Sequence, residues 1–155
     1  MLGDLQRRGL WLATAESLTG GLLSAAIVAI PGASRAFRGG VVAYATELKA
    51  QLLGVDADLL AGRGPVDAEV AAQMARGVRH LLGADIGLST TGVAGPEAQG
   101  DALPGTVFIG VDARVGGQDS HAVSRLALAG DRSEIRAQTV LAALELARNV
   151  VPRNG

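Results

Sequence analysis

Ser17 and Lys49 are the residues in this chain whose types suggest covalent chemistry. Ser17 lies in the run Ala15-Glu16-Ser17-Leu18-Thr19-Gly20-Gly21, and Lys49 is the only lysine, every other long cationic side chain being arginine. A serine hydroxyl is a weak nucleophile until a neighbouring base takes its proton. Arginine keeps its proton at any ordinary pH, whereas a lysine removed from water can lose it and act as that base. Together the two residue types suit metal-independent acyl transfer. Each also has a plainer reading: Ser17 as the N-cap of a following helix, and Lys49 as chance in an arginine-biased chain. Tyr44, the only tyrosine, lies five positions before Lys49. Its phenol can relay a proton or orient the lysine, or simply sit at the edge of a core.

Three further segments have compositions suited to a ligand. In the Thr19-Gly20-Gly21 turn, the absence of side chains at the two glycines would let backbone amides approach an oxyanion or a phosphate. The stretch Thr90-Thr91-Gly92-Val93-Ala94-Gly95-Pro96 combines hydroxyls with unobstructed backbone. It matches neither a Walker loop nor a dinucleotide fingerprint, so it is either a ligand loop or an ordinary turn. Arg132 falls in the first turn of the last predicted helix, where the helix dipole disfavours a cation. An acidic ligand would relieve that, and an exposed surface arginine is the alternative.

The elements that must position these groups follow from periodicity and punctuation. Residues 10–15 read as a strand, followed by a tight turn and an apolar helix that Pro31-Gly32 closes. Residues 39–44 read as a second strand, which places Tyr44 at its end, and residues 47–53 as a short helix. Asp67 is the expected N-cap of an amphipathic helix with Val70, Met74, Val78 and Leu81 on its apolar stripe and Arg76 and Arg79 on its polar face. Residues 86–91 and 107–111 suit inner strands, and 121–128 a strand nearer an edge, with Gly116-Gly117 as a hairpin turn. Asp131 and Glu134 have capping-box spacing at the start of the last helix, where Val140, Leu144 and Ala147 form one stripe; Ile135, Leu146 and Val150 lie outside it. The alternation predicts a single α/β domain over residues 1–155, a three-layer α/β/α arrangement with a mixed, mostly parallel sheet.

Composition narrows the functional classes. The chain has 155 residues, 48% of them apolar, and a formal net charge of −1. That balance gives no general attraction to nucleic acid or anionic membrane, so neither is expected as a partner. There is no cysteine and only two histidines, too few ligands for a usual zinc site, so no metal is expected. No leader or membrane-spanning stretch is read in the sequence, and a cytoplasmic location is the expectation.

Taken together, 15–21, Gly39-Gly40-Val41-Val42-Ala43-Tyr44 with Lys49, Thr91-Gly92-Val93-Ala94-Gly95-Pro96, and Gly130-Asp131-Arg132 resemble the CinA carboxy-terminal domain family, in order from about residue 4 to 150. That family includes nicotinamide mononucleotide amidohydrolases, which release ammonia to leave nicotinate mononucleotide. The resemblance implies Ser17 as nucleophile, Lys49 as base and Tyr44 as their assistant. It implies Glu16, Thr19, Gly20, Gly21, Thr91, Gly92, Ala94, Gly95 and Arg132 around a pyridine mononucleotide substrate, with no cofactor and a homo-oligomeric state. Leu18 stands where the family usually has cysteine, Thr46 where it tends to have asparagine, and Glu97-Ala98-Gln99-Gly100 where a glycine-richer loop is common. A different small carboxamide as substrate, or a pocket that binds without turnover, are the alternatives.

Overall fold

The computed structural model describes residues 1–150. The chain runs α1 (Leu2–Arg8), β1 (Leu12–Glu16), α2 (Leu22–Val28), a 3-10 turn (Ala33–Arg35), β2 (Phe37–Val42), α3 (Thr46–Leu53), α4 (Ala57–Arg63), α5 (Ala68–Leu81), β3 (Ile86–Gly92), β4 (Thr106–Val115), β5 (Gln118–Ala127) and α6 (Arg132–Val150). The strands form one open sheet in the order β2-β1-β3-β4-β5. β1 pairs in parallel with β2 and β3, while β4 runs antiparallel to both its neighbours. The sheet is therefore mixed: four of its five strands share a direction, although only two of its four ladders are parallel.

Alternation along the inner strands separates two cores. Leu12 of β1, Ile86 and Leu88 of β3, and Val107, Ile109 and Val111 of β4 pack against α1, α2 and α6. Ala13 and Ala15, on the opposite face of β1, pack with Val70, Met74 and Val78 of α5 and with Leu53 and Leu60 of α3 and α4. The connection from β1 to β2 passes through α2 on the first face, and that from β2 to β3 through α3, α4 and α5 on the second. At the carboxyl end of the sheet the first crossover leaves β1 on one face and the second leaves β2 on the other, so a crevice opens beside the end of β1, the usual ligand position in such sheets. Ser17 follows that end, and the chain leaving β3 at Val93 lies beside it.

Most predicted elements are present with shifted ends. β1 starts and stops later than residues 10–15, and β2 ends at Val42, leaving Tyr44 two residues beyond it. The Asp67 carboxylate caps α5 through the amides of Glu69 and Val70. Asp131 and Glu134 form the reciprocal bonds of a capping box at α6. The Gly116-Gly117 hairpin turn has φ of 60° and 81°, as the right-handed twist of the flanking strands requires. Leu81, expected on the apolar stripe of α5, is instead exposed at that helix's last turn, whereas Ile135 joins the core of α6. Helix α1, the 3-10 turn and α4 went unread, being too short to show periodicity.

One close approach in this scaffold bears directly on where Lys49 sits. Gly77 of α5 packs flat against the backbone of Leu53 at the end of α3, and a Cβ there would collide with the Leu53 carbonyl. Gly77→Ala is therefore expected to lower stability by about 1–3 kcal/mol by pushing the two helices apart. Denaturant unfolding checks this; an unchanged midpoint would show that α3 does not depend on the contact.

Candidate active site at the end of the central strands

The Ser17 amide donates to the Thr90 carbonyl (3.0 Å), so the residue extends the sheet before the chain turns. Gly20 and Gly21 then take φ of 56° and 101°, in the left-handed region that side chains disfavour, and α2 begins at once. Ser17 does not cap this helix. The Glu16 carboxylate does so instead, accepting from the amides of Gly21 (3.1 Å), Leu23 (2.8 Å) and Ser24 (3.0 Å) and from the Ser24 hydroxyl (2.6 Å). Ser17 Oγ is thus left for another partner.

That partner comes from the opposite face of the sheet. Lys49 of α3 is 1% exposed, and its Nζ donates to Ser17 Oγ (3.0 Å) and to the Ala43 carbonyl (2.8 Å). Burial pushes the ammonium down from its usual 10.5 to about 8, outweighing the opposing pull of the Glu47 carboxylate. Arg132 does not contribute to this shift. Its guanidinium donates to the Gly95 carbonyl (2.8 Å) and to the Tyr44 hydroxyl (3.0 Å). Tyr44 is 59% exposed and is held by Arg132, with no bond to Lys49.

These groups line one cavity of about 240 Å³, whose walls include Ser17, Leu18, Tyr44, Lys49, Thr91, Gly92, Ala94, Gly95 and Arg132. Four residues expected at a substrate are not part of its lining: Glu16, Thr19, Gly20 and Gly21. Glu16 is wholly buried under α2, and the Thr19 hydroxyl pairs with that of Thr90 (2.8 Å). The Gly20 amide is taken by the Ser17 carbonyl (3.0 Å) and the Gly21 amide by Glu16, so neither can receive an oxyanion as expected. The Thr91 hydroxyl donates to the Pro65 carbonyl (2.7 Å) and keeps lone pairs for a donor.

Sequence reading missed several contributors. Pro65 and Val66 line the cavity ahead of α5, and Glu97 and Gln99 enter from the loop already noted as glycine-poor. A second cavity of about 540 Å³ shares Pro65, Val66 and Gln99 with the first. Arg136 reaches the turn behind Ser17. Its spacing of four from Arg132, which puts both on one helix face, was the signal available.

The buried lysine should leave a mark on stability. The folded chain holds this proton less tightly than the unfolded chain, so charged Lys49 costs stability below about pH 8. The cost fades as pH rises from 8 to 10.5, where the group becomes neutral in both states. Lys49→Met is thus expected to gain on the native chain at pH 6–7, on the order of 1–3 kcal/mol, with the gain shrinking toward pH 10.5. Denaturant unfolding across that range reads the difference; a gap independent of pH would mean that Lys49 titrates like an exposed lysine.

Known proteins share this fold. The sequence profile of the CinA C-terminal domain matches residues 1–151. A CinA-like protein of Frankia casuarinae is 51% identical over 151 residues, covering 97% of this chain and 34% of that protein. One from Gemmatimonas aurantiaca is 45% identical over 154 residues, covering 99% and 35%. The chain thus spans about a third of the length of these curated relatives. Among solved structures, the competence/damage inducible protein CihA of Agrobacterium tumefaciens superposes with a TM-score of 0.90 at 33% identity, covering 96% of this chain and 89% of that one. The competence damage-inducible protein A of Klebsiella pneumoniae superposes with a TM-score of 0.87 at 36% identity, covering 94% and 88%. By sequence over nearly its whole length and by fold, the chain belongs to the CinA C-terminal domain family.

Proposed function

We propose that this chain is an amidohydrolase that converts nicotinamide mononucleotide to nicotinate mononucleotide and ammonia, with Ser17 as nucleophile and Lys49 as base. The observation that carries the reading is a lysine Nζ 3.0 Å from a serine Oγ in a cavity, with the ammonium depressed to about 8 by burial. At neutral pH a useful fraction of such a lysine is neutral and still close enough in basicity to return the proton. The resemblance to nicotinamide mononucleotide amidohydrolases names the substrate. Arg132 at the cavity wall offers a cation to the phosphate, and the adjoining larger cavity gives room beyond the pyridine ring.

The proposed steps use this Ser17–Lys49 pair. Neutral Lys49 takes the Ser17 proton as Oγ bonds to the carboxamide carbon, and the carbonyl oxygen becomes an anion. Lys49 passes the proton to the nitrogen, the carbon–nitrogen bond breaks, and ammonia leaves an acyl-serine. Water, deprotonated by Lys49, attacks the ester; Ser17 departs and regains its proton, and the carboxylate product is released. Glu97 in the cavity wall favours a second reading, an amidase for a smaller uncharged carboxamide, because its carboxylate would repel a phosphate.

The purified chain is expected to release ammonia from nicotinamide mononucleotide. Ser17→Ala and Lys49→Arg, both folded, should each lose roughly 10³-fold or more in kcat. Release from nicotinamide but not from its mononucleotide would select the second reading, and full activity in Lys49→Arg would remove the lysine as base. Because the neutral lysine is the active form, kcat/KM should climb with pH, with a midpoint near 8, and level off above it. A profile flat from pH 6 to 9 would contradict this.

A further inference from the structure

Arg136 of α6 has no part in the steps above, yet its guanidinium is committed to the turn that follows the nucleophile. Its Nε donates to the Leu18 carbonyl (2.9 Å) and its Nη2 to the Thr19 carbonyl (3.0 Å). Gly20 makes room for this, since a Cβ there would lie 3.3 Å from Nη2. In a trans peptide the N–H points away from the C=O. Arg136 therefore sets the Leu18–Thr19 peptide plane from its carbonyl side and, together with the Leu22 amide (3.1 Å), the Thr19–Gly20 plane. The Ser17–Leu18 plane is set by the Gly20 amide on the Ser17 carbonyl, and the Gly20 amide belongs to a plane that Arg136 holds.

The consequence lies on the other side of the turn. The amides of Leu18 and Thr19 donate to nothing among the described residues, although Leu18 is 4% exposed and Thr19 fully buried. Buried amides are nearly always paired. Leu18 lines the cavity with Ser17 and Lys49. We infer that Arg136 is a positioning residue: by holding the Leu18 and Thr19 carbonyls behind the turn, it presents the Leu18 amide, supported by that of Thr19, to the anionic oxygen formed when Ser17 attacks. The inference rests on the Ser17–Lys49 reading. It replaces the Gly20–Gly21 amides with donors that are still free; the charge on the Leu18 carbonyl strengthens the Thr19 amide across the same peptide, and that on the Thr19 carbonyl strengthens the Gly20 amide, which holds the Ser17 carbonyl opposite the Leu18 amide.

A fluorophosphonate tests this without assuming the natural substrate. Ser17 Oγ would bond to phosphorus as the phosphorus–fluorine bond breaks, Lys49 would take the hydroxyl proton and fluoride would leave, while the phosphonyl oxygen occupies the oxyanion position. Labelling of Ser17 is followed by intact mass in the native chain and in Arg136→Ala, whose folding is checked by thermal unfolding. Arg136→Ala is expected to label at least tenfold more slowly, with part of the rate restored by added guanidinium. On a turned-over carboxamide it should lower kcat while KM stays within about twofold. If Arg136→Ala does not fold, Arg136→Gln, with one donor, is read in its place and should be intermediate. A native labelling rate in whichever folded variant is used would overturn the inference and leave the Ser17–Lys49 pair standing. Failure of the native chain to label at Ser17 would remove the pair itself, and the inference with it.

Discussion

The chain must leave β1 and enter α2 within five residues, and a buried carboxylate makes that possible. A helix starting so soon after a strand presents unpaired amides to the interior, where each would be costly. Glu16 satisfies three of them and a hydroxyl with one side chain. Because Glu16 does the capping, Ser17 is released from the role serine most often plays at such a place. Its hydroxyl faces the crevice at the point where the crossovers diverge. The position of the Ser17 hydroxyl is therefore a by-product of how the helix start is paired.

The second half of the pair arrives from the other layer. Ser17 is anchored by β1, β3 and the core beneath α2, while Lys49 is anchored by α3 against α5. The two meet only because the sheet holds both cores at a fixed spacing and because Gly77 permits α3 and α5 to pack at backbone contact. The site thus rests on long-range packing rather than on any single loop.

Much of this was legible in the sequence, for identifiable reasons. Ser17 and Lys49 stood out by type, and the Asp67 cap, the Asp131–Glu134 box and the Gly116-Gly117 turn carry local chemistry that reads directly. What did not read was pairing. Glu16 was placed at the substrate by the family resemblance, and only the helix geometry shows its oxygens to be occupied by α2. The Gly20 and Gly21 amides looked available because composition shows freedom of approach but not prior engagement. Arg132 suited an acidic ligand by its place in the first turn of the last helix, and only the structure shows its guanidinium bonded to Tyr44 and Gly95. Arg136 offered only its spacing from Arg132, because its partners are carbonyls more than a hundred residues earlier in the chain, which no side-chain pattern records.

The lowered proton affinity of Lys49 comes from the loss of water and not from a neighbouring cation. A base tuned by dryness responds to what fills its pocket. In the proposed substrate the nicotinamide ring is a pyridinium cation, so its arrival would displace the remaining water and add a positive charge, and both shift the amine toward its neutral form. Under the proposed reaction, occupancy of the cavity would itself arm the base, and the pair would stay largely protonated and quiet between turnovers.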